Sequence, residues 1–202
     1  MKVLLIRHGE TSWNSSKKFQ GNRDVTLNKV GRMQAHTTGK FLEENHNDSD
    51  AIFTSDLARA YETSLIINNY LNTKLFLRKK LREININLWG GKTYEYIKDK
   101  YKRQFNSWQI NPNYKLPGLE SHYEIKKRVK NEIIRIISEN AGLNKIVIVS
   151  HGMAIRSFLV GLCEKYDLND LEIKNCSITD LNYIKGEFFL ENINYHNHFY
   201  FV

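Results

Sequence analysis

The chain of 202 residues is 41% hydrophobic and 12% aromatic, which is enough to bury the core of one domain and short for two. Its amino-terminal apolar run is too short for a signal peptide, and no run approaches membrane-spanning length. We therefore expect a cytoplasmic protein, monomeric or homodimeric, with no membrane partner. The formal net charge of +8 comes from basic residues scattered along the chain without a known binding motif, so nucleic acid is not expected as a partner either.

The amino-terminal segment has the pattern of a buried strand that ends at a reactive turn. Residues 3–6 are an unbroken apolar run, and Arg7, His8 and Gly9 follow directly. Ligands bind at the carboxyl ends of strands in open α/β sheets, so we expect Arg7 and His8 at a functional site. A surface arginine and a structural histidine are the other interpretation. A run of Arg-His-Gly-Glu-Thr, however, arises by chance on the order of once in ten thousand chains of this length.

A polar stretch, 12–24, follows and is predicted to be a loop beside His8. Asn14 in this stretch could donate an amide hydrogen bond to an anion or could form a local turn, and its position leaves both interpretations open. Apolar residues then recur at helical spacing over 27–44, which predicts a helix packed on the sheet.

The next strand–helix unit places a cation in an unusual position. A second strand is predicted at 51–54 and a helix after it, with Arg59 in the first helical turn. The helix dipole disfavours a cation there and favours an anion. Either a phosphate or carboxylate sits between Arg59 and the helix end, or Arg59 is an exposed residue without a role. Residues 74–78 predict a third strand, and Glu83 lies just past it, where a surface glutamate would be the simpler interpretation.

The middle of the chain predicts an excursion from the core. Aromatic residues recur at helical spacing over 92–108, and both prolines fall in the loop that follows. Such excursions often cover an active site, so we interpret 86–120 as a cap or insert segment. The opposite face of the predicted helix is basic and is expected to be solvated; it carries Lys98, Lys100, Lys102 and Arg103.

The last third repeats the opening pattern. A capping-box sequence at 121–124 precedes a helix whose basic residues, Arg128 among them, are expected to be solvated. The most hydrophobic strand follows at 146–149 and ends in Ser150, His151 and Gly152. An apolar helix is predicted at 154–162. Further strands are predicted at 178–183, 187–191 and 199–202.

Cysteines and carboxyl-terminal histidines give no sign of a metal. Cys163 and Cys176 are expected to be free thiols. His196 and His198 would share one face of a strand, but no carboxylate or thiol ligand accompanies them. We therefore expect no metal and no other cofactor.

Four segments thus end with chemically active side chains at one edge of a predicted α/β sheet. These side chains are Arg7, His8, Arg59, Glu83, Ser150 and His151. Two arginines and two histidines around a single carboxylate, with no serine or cysteine nucleophile elbow, suit a phosphate dianion attacked by histidine. The attack needs a neutral imidazole, and neighbouring arginines lower the pKa of a histidine and favour that form.

At this point the sequence resembles the histidine phosphatase superfamily, whose fold is also called phosphoglycerate mutase-like. The resemblance covers nearly the whole chain. It rests on Arg7-His8-Gly9-Glu10-Thr11, Asn14, Gln20-Gly21, Ser55-Asp56-Leu57 with Arg59, Glu83, Pro117-Gly118, Ser150-His151-Gly152 and the stretch 175–179. It implies a three-layer α/β/α sandwich with a mostly parallel, doubly wound sheet, formed by a single domain over 1–202.

The resemblance also implies a mechanism. His8 would be the nucleophile that becomes phosphorylated, and Glu83 would protonate the leaving oxygen and then activate water. The residues that would bind the substrate are Arg7, Asn14, Gln20, Gly21, Arg59, His151 and Gly152. The implied activity is hydrolysis of small phosphorylated metabolites without a metal.

Two other functions are compatible with the same pattern. One is a cofactor-dependent phosphoglycerate mutase, and the other is a non-catalytic module that only binds phosphate. Mutase relatives have an arginine pair directly after a tryptophan, whereas Trp108 is followed by Gln109 and Ile110. The basic residues Lys98, Lys102 and Arg103 could substitute for that pair, so the mutase remains the main alternative to the phosphatase.

Overall fold

A six-stranded sheet forms the centre of the fold. The computed structural model describes residues 1–86, 88–162 and 171–200. Its strands are β1 (Lys2–Arg7), β2 (Ala51–Thr54), β3 (Lys74–Leu77), β4 (Lys145–Ser150), β5 (Ile178–Ile184) and β6 (Glu187–Tyr195). They lie in the order β3-β2-β4-β1-β5-β6. The first four of these are parallel, and β5 and β6 extend the sheet in antiparallel fashion. The predicted mostly parallel sheet is confirmed.

Helices cover both faces of this sheet. They are α1 (Ser12–Ser15), α2 (Lys29–His46), α3 (Ala58–Leu71), α4 (Tyr94–Lys100), α5 (Lys102–Ile110), α6 (His122–Glu139) and α7 (Gly152–Val160), with 3-10 helices at Lys79–Leu81 and Asn197–Tyr200. Alternate strand residues point to opposite faces. Val3 and Leu5 of β1 therefore pack with α6 and α7, whereas Leu4 and Ile6 pack with α2 and α3. The result is the three-layer α/β/α sandwich that the resemblance implied.

Three predicted elements differ in their bounds because of local hydrogen bonds. The polar stretch 12–24 contains the short helix α1. Thr11 and Asn14 form a capping box at its amino terminus. Helix α2 begins after Asn28, whose side chain accepts a hydrogen bond from Gly31 N at 2.7 Å. The single helix predicted at 92–108 is two helices, α4 and α5, because the backbone at Tyr101 is not helical.

The carboxyl-terminal strand predicted at 199–202 is wrong. Phe199 belongs to the second 3-10 helix, and residues 201 and 202 lie outside the described residues. Because β6 ends at Tyr195, His196 and His198 also do not share a strand face. His198 is buried instead, and its Nε2 lies 3.0 Å from Thr38 Oγ1. This contact docks the end of the chain on α2.

The predictions on the cysteines and on membrane-spanning segments can be compared with the described residues. Cys176 is a free thiol, and burial raises its pKa to about 12. Cys163 lies outside the described residues, as does Asn87 within the predicted cap. Among the helices that the structure describes, none has the length and apolar character needed to cross a membrane.

Candidate active site

The carboxyl ends of the parallel strands surround a cavity of about 440 Å³. Pairing of β1 with β4 sets Arg7 beside Ser150, and pairing of β4 with β2 sets Val149 beside Thr54. The turns that follow these strands are therefore neighbours. Eight of the predicted site residues line the cavity, namely Arg7, His8, Asn14, Gln20, Gly21, Arg59, Glu83 and Gly152. The ninth, His151, is fully buried, with its ring centroid 5.2 Å from that of His8.

His8 is held as a neutral imidazole with a defined tautomer. Its Nδ1 lies 2.7 Å from Gly9 O, which can only accept, so Nδ1 carries the proton. Its Nε2 lies 3.1 Å from Arg59 Nε, which can only donate, so Nε2 presents a lone pair. Burial, followed by the charges of Arg59 and Arg7, holds the pKa of His8 well below 6.5. A neutral Nε2 is the form that a nucleophilic histidine requires.

Arg59 is buried, and the main chain holds it at the site. Its Nη1 donates to Arg23 O and its Nη2 donates to Gly21 O, each at 2.8 Å. Burial is the main cause that lowers its pKa to about 10, which still leaves it cationic at neutral pH. Full burial excludes the interpretation of Arg59 as an exposed residue without a role. A buried cation at the start of α3 makes this region of the cavity attractive to an anion.

Arg7 has a buried donor that points to the same conclusion. Its Nη1 donates to Ile173 O at 2.6 Å, whereas its Nε is buried without a hydrogen-bond partner among the described residues. Gly152 makes room for this side chain, because a Cβ there would lie 3.3 Å from Arg7 Nε. A buried donor without a partner is costly, and a bound oxyanion would satisfy it.

His151 contributes a second buried ring nitrogen. Its Nε2 lies 2.8 Å from Ser55 Oγ, which itself accepts from Leu57 N. The Ser55 hydroxyl proton can therefore be donated to Nε2, which leaves the ring proton on Nδ1. That Nδ1 is buried, and no described residue pairs with it. Burial, with the charge of Arg59 next, holds the pKa of His151 well below 6.5, so this ring is a neutral hydrogen-bond donor.

Glu83 is oriented by main-chain donors. Its Oε1 accepts from Ile84 N at 2.9 Å and from Ala154 N at 3.1 Å, and its Oε2 accepts from Met153 N at 3.2 Å. The carboxyl group thus sits at the amino terminus of α7, next to Gly152 and on the wall of the cavity. A carboxyl group in this position can exchange a proton with a bound ligand.

Asn14 forms the local turn that its sequence position allowed, and its side chain also lines the cavity. Thr11 N and Thr11 Oγ1 each donate to its Oδ1 at 3.0 Å, which completes the capping box of α1. With the oxygen engaged, the NH₂ group is the part of the side chain that can bind an anion in the cavity.

Two residues that support the site were not found from the sequence. Arg128 was expected to be solvated, but it donates to Arg82 O at 2.9 Å and to Glu83 O at 3.3 Å while pairing with Glu120. Asn175 donates to His8 O at 2.9 Å, and Cys176 N donates to Arg7 O at 3.0 Å. Helical spacing did not distinguish Arg128 from the basic residues beside it that were expected to be solvated. The stretch 175–179 resembles the family, but that resemblance assigned it no role.

Loss of the Asn175 amide should slow turnover without weakening substrate binding. We expect Asn175→Ala to lower kcat about 10-fold at nearly constant KM, because a small displacement of His8 misaligns the nucleophile. Steady-state kinetics measures both parameters. The matched control is Asn45→Ala, which removes an amide that donates to Phe41 O at 2.8 Å on the surface of α2. An increase in KM alone, or equal losses in both variants, would argue against a positioning role for Asn175.

Comparison with known proteins places this chain in a family. The sequence matches the model of the histidine phosphatase superfamily (branch 1) over residues 3–196. A Yersinia enterocolitica protein named "Probable phosphoglycerate mutase" is 32% identical over 188 residues, which are 91% of this chain and 85% of that protein. Phosphoserine phosphatase 1 of Hydrogenobacter thermophilus is 29% identical over 163 residues, which are 80% of this chain and 76% of that protein.

A solved structure gives the same result in three dimensions. The phosphoserine phosphatase of Entamoeba histolytica in complex with 3-phosphoglyceric acid is 27% identical and has a TM-score of 0.83. The alignment covers 98% of both chains. The chain belongs to the histidine phosphatase superfamily.

Proposed function

We propose that the chain is a phosphatase that hydrolyses small phosphate monoesters through a phosphohistidine formed on His8. The observation that carries this proposal is the state of His8: a buried, neutral ring whose Nε2 lone pair faces the guanidinium of Arg59, with the charge of Arg7 also acting on it. A module that only binds phosphate needs no such nucleophile, nor a carboxyl group held on the wall of the same cavity.

In the first half of the reaction, His8 Nε2 attacks the phosphorus of the bound ester. Arg59 Nε leaves Nε2 and donates instead to a phosphoryl oxygen, and the other oxygens are held by Arg7 Nε and His151 Nδ1. The N–P bond forms as the ester P–O bond breaks. The leaving oxygen takes a proton from Glu83, so the alcohol departs neutral.

In the second half, water attacks the phosphohistidine. Glu83, now a carboxylate, accepts a proton from the water as the O–P bond forms. The N–P electron pair returns to His8 Nε2, and inorganic phosphate leaves. The arginines stabilise the charge on the phosphoryl oxygens in both transition states. No step requires a metal, and the described residues contain no group of ligands that could hold one.

The residues that line the cavity support a phosphatase better than a mutase, which would return the phosphoryl group to a second position on the substrate. A mutase must keep its phosphorylated intermediate in place and exclude water. The basic residues that were considered for this purpose, Lys98, Lys102 and Arg103, are exposed and do not line the cavity. Among the relatives above, one is named a mutase and two are named phosphatases, so the mutase remains the second candidate.

We also propose that 86–120 acts as a cap within a single domain. Trp108 and Ile86 from this segment line the cavity, and its beginning and end meet where Ile86 pairs with Leu119. Its start is joined to the loop after α1, because Phe19 N donates to Lys92 O and Gly91 N donates to Phe19 O. The cap thereby supplies apolar side chains to the wall of the cavity.

A panel of phosphorylated metabolites, assayed in EDTA, tests this function. We expect phosphate release from several esters, with much slower conversion of 3-phosphoglycerate to 2-phosphoglycerate in the presence or absence of 2,3-bisphosphoglycerate. Retained activity in EDTA is expected because protein groups supply every step, and vanadate should inhibit as a mimic of the five-coordinate phosphoryl group. Fast interconversion with little phosphate release would establish the mutase instead. Activity that disappears in EDTA and returns with a divalent cation would contradict the metal-free mechanism.

A further inference from the structure

The backbone around Gly9 determines which way the His8 ring is held. His8 Nδ1 lies 2.7 Å from Gly9 O, and this carbonyl belongs to a residue that restricts its own dihedral angles very little. A side chain has no room at this position, because a Cβ on Gly9 would overlap Gly31 O at the start of α2. Contacts from outside the turn must therefore fix the direction in which the Gly9 carbonyl points.

The peptide group between His8 and Gly9 is held at both ends. Asn175 Nδ2 donates to His8 O at 2.9 Å. On the other side, Gly9 N donates to Thr63 Oγ1 at 3.0 Å. Thr63 is fully buried in α3, and its hydroxyl donates to Arg59 O at 2.6 Å, which leaves the hydroxyl oxygen to accept from Gly9 N. These contacts fix the first of the two peptide planes that flank Gly9.

The peptide group between Gly9 and Glu10 is held by Gln34. A trans peptide is planar, so its carbonyl oxygen and its N–H point in opposite directions. On one side, Glu10 N donates to Gln34 Oε1 at 2.9 Å. On the other side, Gly9 O accepts from His8 Nδ1. A rotation of this peptide that turned its carbonyl away from His8 would therefore break the hydrogen bond to Gln34.

The beginning of α2 presents Gln34 at a fixed position. Asn28, which caps α2, donates through its backbone N to Glu10 O at 3.0 Å and through Nδ2 to Glu10 Oε1 at 2.7 Å. Gly31 lets the two backbones touch, because a Cβ there would overlap Glu10 O. Gln34 lies one turn further along the helix and is half-buried. The first two turns of α2 thus support the Gly9–Glu10 peptide.

The direction of the Gly9 carbonyl matters because the reaction needs the lone pair of His8 on Nε2. Which ring nitrogen carries the proton is set by the hydrogen bond that the other nitrogen makes. In the free protein, Arg59 Nε also favours a bare Nε2. That contact is lost once Arg59 donates to a phosphoryl oxygen, and a phosphoryl oxygen can itself accept a proton from Nε2. Gly9 O is then the contact that keeps the proton on Nδ1.

We propose that Gln34 is a positioning residue for phosphoryl transfer, which holds the Gly9–Glu10 peptide so that the Gly9 carbonyl keeps His8 in the tautomer that attacks phosphorus. The proposal rests on the phosphatase function above and adds a residue to its machinery. Gln34 does not line the cavity, so it acts through His8 rather than on the substrate. Its effect should appear in kcat and in the state of His8, and not in the binding of phosphate.

The tautomer of His8 can be measured by NMR of the imidazole nitrogens in isotopically labelled protein at neutral pH, with inorganic phosphate bound. A nitrogen that carries a proton and one that presents a lone pair differ strongly in chemical shift, and His8→Ala assigns the signals. We expect the wild type to carry its proton on Nδ1. Gln34→Met, which removes the acceptor of Glu10 N and keeps the length of the side chain, should move a large fraction of the proton to Nε2.

Steady-state kinetics with p-nitrophenyl phosphate gives a second measurement. We expect kcat to fall at least about 10-fold in Gln34→Met at nearly constant KM, because a misaligned nucleophile is costly. Gln34→Glu should recover most of kcat, since a carboxylate oxygen can accept from Glu10 N as the amide oxygen does. The matched control is Gln104→Met, the same change in α5 on a side chain that does not line the cavity, and it should keep both parameters at wild-type values.

Each other outcome has a distinct meaning. An unchanged His8 tautomer in Gln34→Met would overturn the positioning role, whatever happens to kcat. Equal losses of kcat in Gln34→Met and Gln34→Glu would overturn it as well, because only the first variant lacks the acceptor. If Gln34→Met fails to fold, Gln34→Ala replaces it, since the side chain is only half-buried and alanine favours a helix. Failure of the wild type to release phosphate would overturn the proposed function, and NMR would still show whether Gln34 sets the tautomer of His8.

Discussion

Replacement of His8 by alanine should lower kcat by more than about 10³-fold, because it removes the proposed nucleophile and leaves only groups that bind phosphate. Arg7, Arg59 and His151 remain in the variant, so phosphate or vanadate should still bind. Turnover of p-nitrophenyl phosphate measures the loss, and binding of vanadate by calorimetry shows that the site survives.

The covalent intermediate gives a second measurement. Wild-type protein quenched in acid-free denaturant during turnover of a radiolabelled ester should carry acid-labile phosphate on His8, and His8→Ala should carry none. His36→Ala is a suitable control, because His36 is exposed, contacts Tyr70 between α2 and α3, and does not line the cavity. Substantial turnover by His8→Ala, or label on another residue, would contradict the mechanism.

The pH dependence of the wild type follows from the same residue. Protonation of His8 would consume the Nε2 lone pair, so activity requires the neutral form. Because burial and the charges of Arg59 and Arg7 hold its pKa well below 6.5, kcat/KM should not decline with the ordinary pKa of histidine as pH falls. The decline that His8 causes should begin only at clearly lower pH.

Glu83→Gln should have an effect that depends on the leaving group. The loss in kcat should be about 10³-fold for an alkyl ester such as glycerol 3-phosphate and about 10-fold for p-nitrophenyl phosphate. An alkoxide needs a proton as it departs, whereas p-nitrophenolate is a stable anion. The glutamine keeps the size of the side chain, and its carbonyl oxygen can still accept from Ala154 N.

The control for Glu83 is another carboxylate on the same wall. Glu172→Gln removes a negative charge from the cavity without touching the proposed proton transfer, so it should change both esters by a similar factor. Equal losses for the two esters in Glu83→Gln would remove Glu83 from the role of acid and leave it an electrostatic one.

The sequence by itself was sufficient to locate the reactive edge of the sheet. The apolar runs of β1 and β4 are signals of burial on both faces, which a central parallel strand always has, and the residues that follow such strands must lie at one edge. Arg7, His8, Ser150 and His151 could therefore be placed at that edge before any contact was known. Arg59 and Glu83 were ambiguous by position alone, and the family resemblance supplied their roles.

Only the tertiary structure decided what state these groups are in. The tautomer of His8 depends on Gly9 O and on Arg59, which is 51 residues away, and the orientation of Glu83 depends on backbone donors 70 and 71 residues away. Asn175 reaches His8 across 167 residues. Such hydrogen bonds have no sequence period, because they arise where packing happens to bring a donor and an acceptor together.

The difference between local pattern and long-range packing also explains where the predictions from the sequence were wrong. Periodicity reports which face of a segment is buried, and it carries no information on single hydrogen bonds that end or interrupt a helix. Thr11 with Asn14, Asn28 and Tyr101 set helix bounds through such local geometry, and the docking of His198 on Thr38 replaced a predicted strand. Arg128 looked like its solvated neighbours in sequence, yet the fold placed three carbonyl oxygens and a carboxylate within its reach. Local hydrophobic pattern thus determined where the site lies, and long-range packing determined which protons and lone pairs it presents.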